Sequence, residues 1–474
     1  MAFKAKLGFI PCHRHPFDEK WAIQIRRRTI AALKKIKALE LVVPSEKITT
    51  NGLVRGLSDV QPVVDLFRRE GVDGVLIGCL TFGDENSAVS IASALKHDAA
   101  LMYKPVLVFP TKEPPFSQTG GRSSDAFCGC LSITSQLVTK EVGFEALPPV
   151  LPEETAFAEA VENFARACVA TKRFVGARIG RVGTHPHNFF TCAVNEREMY
   201  RRYGQRVLSL DTALLYHNAQ ALGDRDRRVR NVVGALKRVC DVSRVDEQIL
   251  LRSAKYEIAL ERWLEENRVD VFGVQCWPVV QPVYGCVACT AMSRLTSRGR
   301  LAACEVDLNG ALTMLLQYAA ALGGVAPHFV DWTTNHPDDP NKFLAWHCGN
   351  APHELAKDGR VVLDIQYVMA MGGVVPPSRA TGCSWMQIRP GAVTLARLVE
   401  VGGEYRLLLT RGHVSEEPLR THGSGAWVSV PDLRALYGTL QESGFVHHCS
   451  MIHDDHVEAL RMAAKFLGIK TTLV

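Results

Sequence analysis

The chain has 474 residues, of which 47% are hydrophobic and 22% are charged, and its formal net charge is +6 at pH 7. This is the composition of an ordinary globular protein, and the length is enough for two or three domains. The apolar stretch near the N-terminus is too short for the core of a signal peptide, and no segment approaches the roughly 20 apolar residues of a membrane span. We therefore expect a cytoplasmic protein without a membrane partner.

The basic residues do not indicate a nucleic-acid-binding protein, and the cysteines do not indicate a disulfide scaffold or a zinc ribbon. The dense basic run at 26–28, extended at 34–37, lies among apolar residues at helical spacing, which predicts a solvated helix face rather than a nucleic-acid site. The 14 cysteines lack the density of a disulfide scaffold, so we expect reduced, buried thiols. Cys286 and Cys289 form a CxxC pair, but no second pair follows at zinc-ribbon spacing.

The first part of the chain alternates short β-rich runs with helical segments. The runs KLGFIP, LELVVP, DGVLIGCL and KPVLVFP are separated by predicted helices that include those near residues 18–39 and 60–70. This pattern predicts an N-terminal α/β domain, at 1–172, with an open parallel sheet of the Rossmann or flavodoxin-like type. A connecting helix is predicted at 153–171.

A second α/β series follows the connecting helix, and a different pattern follows that. The runs RFVGARIGRVG, RVLSLD and VDVFGVQCW predict a second open parallel-sheet domain at 173–325. From Gly391 onward, two long strand-like runs are joined by Gly-Gly, and GAWVSV and GFVHHCSM follow as further strands. We expect an antiparallel, β-rich, partly barrel-like C-terminal module at 326–474, which ends in a helix and the strand IKTTLV.

Four potential metal ligands stand at the ends of apolar runs. They are Glu305 in AACEVDLNGAL, Asp331 in HFVDWTT, His347 in AWHCGN and His448 in FVHHCSM. A buried carboxylate is costly unless it is paired or bound to a cation, so these residues predict one convergent site. Oxygen ligands with one or two imidazoles suit Mn²⁺ or a similar divalent ion better than a thiolate-bound zinc ion.

Structural roles remain open for Glu305, Asp331 and His347. Glu305 precedes an apolar helical segment and would be favourable at its N-terminus. Asp331 precedes a stretch rich in turn-forming residues, which it would cap, and His347 would be a core histidine bonded to the backbone. His447 and His448 point to opposite faces if their segment is a strand, so one of them at most should reach a cation.

The same segments carry a family resemblance. ACEVDLNGALTMLLQYA, HFVDW, WHCGN and GFVHHCSMIHDDHVEAL, in this order and spacing, resemble the metal-site motifs of the L-fucose/L-arabinose isomerase family. IRPGAVTLARL is similar to the segment that opens the family's C-terminal module. The aspartate at position 331 is typical of the fucose branch, whereas the histidine at 347 matches the arabinose branch, so the resemblance does not transfer a substrate.

The resemblance implies a metal-dependent aldose–ketose isomerase. It assigns Glu305, Asp331 and His448 as metal ligands, and Glu305 and Asp331 also as the catalytic acid/base pair. The cation would be Mn²⁺, or another divalent ion such as Mg²⁺ or Co²⁺, and the reaction would pass through a metal-stabilised cis-enediolate. No nicotinamide cofactor is expected, and Gly176, Gly180 and Gly183 do not follow the GxGxxG order.

Further side chains are candidates for contacts with the sugar. Gln275 and Trp277 follow an apolar strand where a doubly wound domain presents its ligand crevice. The full set of substrate-binding candidates is His347, Trp277, Gln275, His447, Arg14, Arg379 and His422. Packing of Trp277 and surface-loop positions for Arg379 and His422 are the alternative interpretations.

The expected partner is a small sugar: a pentose, a deoxyhexose or an anionic hexose such as a sulfonated one. The resemblance implies a homo-oligomer, a hexamer or trimer, in which Arg14 would reach a neighbour's site. Two other functions remain open at this point. One is a metal-dependent lyase or epimerase that acts on a sugar acid, since the same cation and carboxylates would serve it. The other is a sugar-binding protein without turnover.

Overall fold

The computed structural model describes residues 3–97, 102–116, 120, 122 and 124–474. The chain divides into two compact units, Met1–Val175 with Glu458–Gly468, and Gly176–Val457 with Ile469–Val474. The division of the second unit near residue 325 stays a prediction. No helix in the described residues is both long enough and apolar enough to cross a membrane.

The first unit contains a five-stranded parallel sheet in the order β2-β1-β3-β4-β5. Its elements are β1 (Ala5–Cys12), α1 (Glu19–Leu33), β2 (Leu39–Val42), α2 (Val60–Glu70), β3 (Gly74–Cys79), α3 (Glu85–Ser93), β4 (Val106–Pro110), α4 (Ala126–Thr139), β5 (Phe144–Ala146) and α5 (Thr155–Phe174). The strand order 2-1-3-4-5 is that of flavodoxin-like doubly wound sheets. β3 and β4 are buried along their whole length, as expected for parallel strands covered on both faces.

The second unit begins with a four-stranded parallel sheet in the order β10-β9-β6-β7. The elements in this part are β6 (Arg178–Val182), α6 (Glu196–Tyr203), β7 (Arg206–Leu210), α7 (Thr212–Gln220), α8 (Arg227–Val239), β8 (Cys240–Asp241), α9 (Glu247–Glu266), β9 (Val271–Val274), α10 (Cys289–Ser297), β10 (Leu301–Cys304) and α11 (Leu308–Ala320). The two predicted parallel α/β series are therefore present.

A ten-stranded mixed sheet completes the second unit, in the order β19-β16-β15-β18-β11-β12-β17-β14-β13-β8, and β16 also pairs with β17. The remaining elements in chain order are β11 (His328–Asn335), β12 (Lys342–His347), β13 (Val361–Ile365), α12 (Tyr367–Met371), β14 (Thr381–Gln387), β15 (Gly391–Val401), β16 (Glu404–Val414), β17 (Ser424–Ser429), α13 (Leu433–Glu442), β18 (His448–His453), α14 (Val457–Phe466) and β19 (Lys470–Leu473). Of these, nearly all of α14 belongs to the first unit.

The predicted Gly-Gly hairpin is formed by β15 and β16, which pair antiparallel from Gly391↔Val414 to Val401↔Glu404. The sheet is nevertheless mixed rather than antiparallel, because β19 pairs parallel with β16, β14 with β17, and β8 with β13. For β19 the physical reason is the intervening helix α14, since a strand that follows a helical crossover can lie parallel to its neighbour.

Helix α11 links the two sheets of the second unit. It contacts β9 and β10 on one side and β15 and β18 on the other, and almost every residue along it is buried. Gln317 on this helix donates to the backbone oxygens of Thr394 and Ser450 in the mixed sheet. A helix that is apolar on all faces has to be buried, and its N-terminus is thereby fixed between the sheets.

All 14 cysteines are free thiols in the described structure, and most are buried, as the sequence predicts. Cys286 of the CxxC pair is fully buried, and Cys289 lies in an apolar cluster with Val287 and Cys383.

Candidate active site

Glu305 lies in a strained turn between β10 and α11. Glu305 and Val306 both have positive φ, of 58° and 57°, which is uncommon for non-glycine residues and unfavourable for a β-branched one. Asp307 then caps α11, since its Oδ1 accepts from the Gly310 amide at 2.8 Å. On the adjacent strand, a Cβ at Gly273 would lie 2.8 Å from the Val306 Cα. The glycine therefore leaves room for the turn that carries Glu305.

The mixed sheet provides the other predicted ligands. In the antiparallel register of β11 and β18, Asp331 is directly opposite His448, so their side chains are cross-strand neighbours. His347 is the last residue of β12, the strand on the other side of β11. Strand pairing therefore brings together residues that are far apart in the sequence.

The imidazole of His448 is the point at which both predicted carboxylates meet. Its Nε2 is 2.9 Å from Glu305 Oε2 and 3.6 Å from Asp331 Oδ1, and the ring is fully buried. The other nitrogen, Nδ1, donates to Asp307 Oδ2 at 2.8 Å. This hydrogen bond directs Nε2 toward the two carboxylates.

Asp307, which accepts from His448, also forms a buried ion pair with Arg397 that is not evident from the sequence. Arg397 Nη1 is 2.5 Å from Asp307 Oδ2 and Nη2 is 3.1 Å from Oδ1, and both side chains are about 1% exposed. Burial opposes the charge of Asp307, but Arg397 and His448 hold the pKa of its carboxyl below the usual value. An aspartate directly before an apolar helical run is an N-cap signal, but nothing in the sequence pairs it with Arg397.

The charges of the site balance around His448. Burial tends to raise the pKa of Glu305, but the hydrogen bond and charge of His448 outweigh it and lower this pKa to about 2. Burial tends to lower the pKa of His448, but the hydrogen bonds with Asp307, Cys192 and Glu305 raise it well above its usual value. The residues alone thus favour one positive charge between the carboxylates.

The residues fit a divalent cation in this position. Asp331 Oδ1 is buried and, among the described residues, has no hydrogen-bond partner. Among the described residues, three candidate metal-ligand groups contain His448. Its partners are Glu305 and His347 in one group, Asp331 and His447 in the second, and Cys192 and Asp307 in the third, and within each group the ligand atoms lie within 4.8 Å of one another. Carboxylate and imidazole donors of this kind suit Mn²⁺ and related ions.

His347 differs from His448 in its hydrogen bonding. Its Nδ1 accepts from the Cys348 amide at 2.9 Å, so in the neutral ring the proton is on Nε2. Nε2 is buried, and no partner for it is found in the described part of the chain. In this tautomer His347 offers the site a hydrogen-bond donor rather than a lone pair.

Aromatic rings lie beside Glu305. Trp277 donates from Nε1 to Glu305 Oε1 at 2.8 Å, so it contacts the site in addition to packing. The ring of Phe189 meets Trp277 edge-on at 5.5 Å and His447 at 5.2 Å. His447 is exposed, whereas His448 is buried. Trp277 therefore connects Glu305 to an aromatic cluster that includes Phe189 and His447.

Gln275 lies in the crevice at the carboxyl ends of the parallel strands. Its Oε1 accepts from the Thr184 amide at 3.2 Å. A cavity of about 650 Å³ extends from this position, and its lining includes Val306 beside Glu305. The crevice is therefore continuous with the turn that carries the predicted ligand.

Two other candidates have local partners. Arg379 is exposed and donates to the Pro282 oxygen at 2.6 Å. The His422 ring lies against Tyr367 at 4.2 Å and Trp385 at 4.4 Å between centroids. These contacts support the surface-loop interpretation of Arg379 and an aromatic-packing role for His422, and any contact with a sugar stays a prediction.

Arg14 belongs to the first unit, where it follows β1. Its guanidinium is 3.6 Å from Glu85 Oε2 and lies over the Phe82 ring at 4.6 Å. Its predicted contribution to a neighbour's site stays a prediction.

The fold and the site together define a mixed α/β protein with buried carboxylate and imidazole side chains beside the N-terminus of α11. Residues 8–175 match the family model described as the N-terminal domain of fucose/sulfoquinovose isomerase, and residues 345–473 match that of the L-fucose isomerase C-terminal domain. The chain belongs to this family of sugar isomerases, and it is an isomerase. The family resemblance seen in the sequence is confirmed.

Curated relatives agree with this assignment. A sulfoquinovose isomerase of Priestia aryabhattai is 25% identical over 466 residues, which cover 98% of each chain. A sulfoquinovose isomerase of Alkalicoccus urumqiensis is 26% identical over 368 residues, 77% of this chain and 79% of the relative. An L-arabinose isomerase of Pectobacterium carotovorum subsp. carotovorum is 22% identical over 237 residues, 48% of this chain and 46% of the relative.

Proposed function

We propose that this protein is a metal-dependent aldose–ketose isomerase whose cation is held by Glu305, Asp331 and His448. The observation that carries the proposal is the meeting of both carboxylates at the Nε2 atom of one buried, oriented imidazole. The Oδ1 atom of Asp331 supports it, because this atom is buried and accepts no hydrogen bond in the described structure, which is costly without a ligand. We favour Mn²⁺ as the ion.

The reaction moves a proton between C1 and C2 of an open-chain sugar through a cis-enediolate. When bound, a divalent cation would polarise the carbonyl and offset the charge that develops on the oxygens. One of Glu305 and Asp331 takes the carbon-bound proton, while the other transfers the hydroxyl proton. Positioned proton transfer of this kind contributes about 10² to 10⁴ in rate.

Two further residues orient the ligands, and a third contacts the substrate. Asp307 accepts from Nδ1 of His448, which leaves the Nε2 lone pair for the cation. Trp277 holds one oxygen of Glu305, so the other is directed to the site. His347, with its proton on Nε2, donates a hydrogen bond to a substrate oxygen.

We propose sulfoquinovose, a sulfonated hexose, as the first substrate to test. The relatives that cover most of this chain are named sulfoquinovose isomerase, and the formal net charge of +6 favours an anionic sugar. L-Fucose and L-arabinose are the next substrates to test. We also propose that the protein is a homo-oligomer. In addition, we propose that the mixed sheet is partly barrel-like, because β16 pairs with both β15 and β17.

The test is turnover with controlled metal content. Purified protein is stripped with EDTA, reloaded with Mn²⁺, Mg²⁺ or Co²⁺, and incubated with each aldose, and the ketose is identified by NMR. We expect ketose formation that is lost in EDTA and restored by Mn²⁺. Turnover that persists in excess chelator contradicts the metal-dependent mechanism. Binding without turnover would favour a sugar-binding protein, and another product would favour a lyase or epimerase.

A further inference from the structure

Two buried thiols lie beside Glu305 and have no role in the proposed mechanism. Cys276 follows β9, and Cys304 is the last residue of the adjacent parallel strand β10. Their sulfur atoms are 3.0 Å apart, and both residues are at most 5% exposed. Both are free thiols. A pair of adjacent, reduced sulfur atoms is a potential ligand set for a soft or borderline cation.

The thiol pair and the carboxylate form one group of ligand atoms. The sulfur atoms of Cys276 and Cys304 and a carboxylate oxygen of Glu305 lie within 4.8 Å of one another. Glu305 is also part of the group with His347 and His448, whose other donors are nitrogens. The Glu305 carboxylate therefore lies between two sets of potential ligands. One set is the imidazoles of His347 and His448, and the other is the thiols of Cys276 and Cys304.

We propose that Cys276, Cys304 and Glu305 form a second cation site, for a thiophilic divalent ion such as Cd²⁺ or Zn²⁺, whose occupation inhibits the isomerase. Thiolates prefer such ions to Mn²⁺, so the two sides of Glu305 select different metals. On binding, each thiol releases its proton to solvent and its sulfur forms a bond to the ion. The isomerase is inhibited because Glu305 then binds the second ion instead of the catalytic one. This consequence rests on the proposed function.

The geometry requires a small adjustment. Metal–sulfur bonds of about 2.3 Å in a tetrahedral site place two sulfur atoms about 3.8 Å apart. The thiols at 3.0 Å therefore have to separate by roughly 0.8 Å, which side-chain rotation provides. Cys276 follows the strand rather than lying within it, so the strand pairing does not oppose this movement.

The experiment titrates Cd²⁺ into the reduced, Mn²⁺-loaded, full-length protein under anaerobic conditions. Isomerase activity and the ultraviolet thiolate-to-cadmium charge-transfer absorption are followed together. The variants are Cys276→Ser and Cys304→Ser, with the alanine variants as a second pair if either serine variant unfolds. The controls are Cys130→Ser, from a hydrogen-bonded buried thiol pair with Cys79 in the first unit, and Cys128→Ser, which removes an exposed thiol.

We expect Cd²⁺ to inhibit the wild type and both controls, and inhibition to weaken at least about tenfold in the Cys276 and Cys304 variants. The absorption should fall in the same variants. The proposal would be overturned if Cd²⁺ inhibited these variants as strongly as the wild type, or if the wild type showed no charge-transfer band. If the wild type lacks isomerase activity, the proposed function fails, but the absorption titration still tests the site. Glu305→Gln should then retain the band and bind Cd²⁺ more weakly.

Discussion

The two sheets of the second unit supply the candidate active site in different ways. The mixed sheet presents Asp331 and His448 from opposed positions of an antiparallel ladder, where backbone hydrogen bonds fix the register. The parallel sheet presents Glu305 after β10 ends, from a turn with two consecutive residues at positive φ. A ladder position tolerates local change because many bonds share the constraint, whereas the turn depends on a few close contacts.

The largest expected effect comes from the carboxylates that the two sheets contribute. Glu305→Gln and Asp331→Asn should each lower kcat/KM about 10³-fold or more, because each loses an acid–base group and a ligand. The control is Asp338→Asn, an exposed residue in the connection between β11 and β12, which should leave kcat/KM unchanged. Folded, metal-replete variants with near wild-type turnover would show that the two sheets do not build a common site.

Substitution of Gly273 tests whether the turn that carries Glu305 depends on close contacts. In Gly273→Ala the new Cβ would meet the backbone of Val306 at 2.8 Å, so the turn and Glu305 have to move. We expect a loss of about 10²-fold in kcat, as for a misplaced catalytic group, while strand β18 is unaffected. The matched control is Gly438→Ala in α13, where the added methyl group meets nothing within 4 Å. Helix propensity should make that variant more stable by roughly 0.5–1 kcal/mol. Equal kcat in Gly273→Ala and wild type would contradict the argument.

Asp307 connects the turn to the ladder through His448. Asp307→Asn leaves Arg397 buried without its ion-pair partner, so the free energy of unfolding should fall by about 3–5 kcal/mol. Loss of the imidazole's charged partner should weaken Mn²⁺ binding by about 10- to 100-fold. Denaturant unfolding and Mn²⁺ titration measure these two effects.

The control for Asp307 is Asp432→Asn. Asp432 is an exposed N-cap of α13, whose Oδ1 accepts from the Ala435 amide at 2.8 Å. Asparagine caps a helix about as well as aspartate, so this variant should change the unfolding free energy by less than about 0.5 kcal/mol. Similar losses in both variants would mean that capping, rather than the buried charge pair, explains the effect of Asp307→Asn.

The smallest expected effect comes from substitution of His347. It tests which histidines of the mixed sheet bind the metal and which donate a hydrogen bond to the substrate. Because its Nδ1 accepts from Cys348, we expect His347→Gln to leave Mn²⁺ affinity near the wild-type value and to raise KM by about tenfold or less. His448→Gln is the comparison and should bind Mn²⁺ much more weakly. If His347→Gln loses Mn²⁺ to the same extent, His347 is a ligand rather than a donor to the substrate.

The sequence predicts the regular elements well where the local pattern is strong. Buried parallel strands such as β3 and β4 are continuous apolar runs, and the Gly402–Gly403 turn marks the β15–β16 hairpin. The parallel pairing of β19 and the two-residue strand β8 were not predicted, because pairing partners depend on tertiary contacts rather than on local pattern.

For the site, the sequence identifies side chains but not their partners. Glu305, Asp331 and His448 could be named because they end apolar runs and match family motifs. The pairing of Asp307 with Arg397 could not, since the two residues are far apart in the sequence and no local pattern links one to the other. Likewise, Cys276 and Cys304 meet only because β9 and β10 are adjacent in the parallel sheet.

The most direct test of the central claim is the position of a bound Mn²⁺ ion. Anomalous diffraction at the manganese edge, from crystals of the Mn²⁺-loaded protein, locates the ion independently of the mechanism. We predict one ion at bonding distance from a carboxylate oxygen of Glu305, an oxygen of Asp331 and Nε2 of His448. An active enzyme whose manganese lies elsewhere, with these three side chains unligated, would contradict the account.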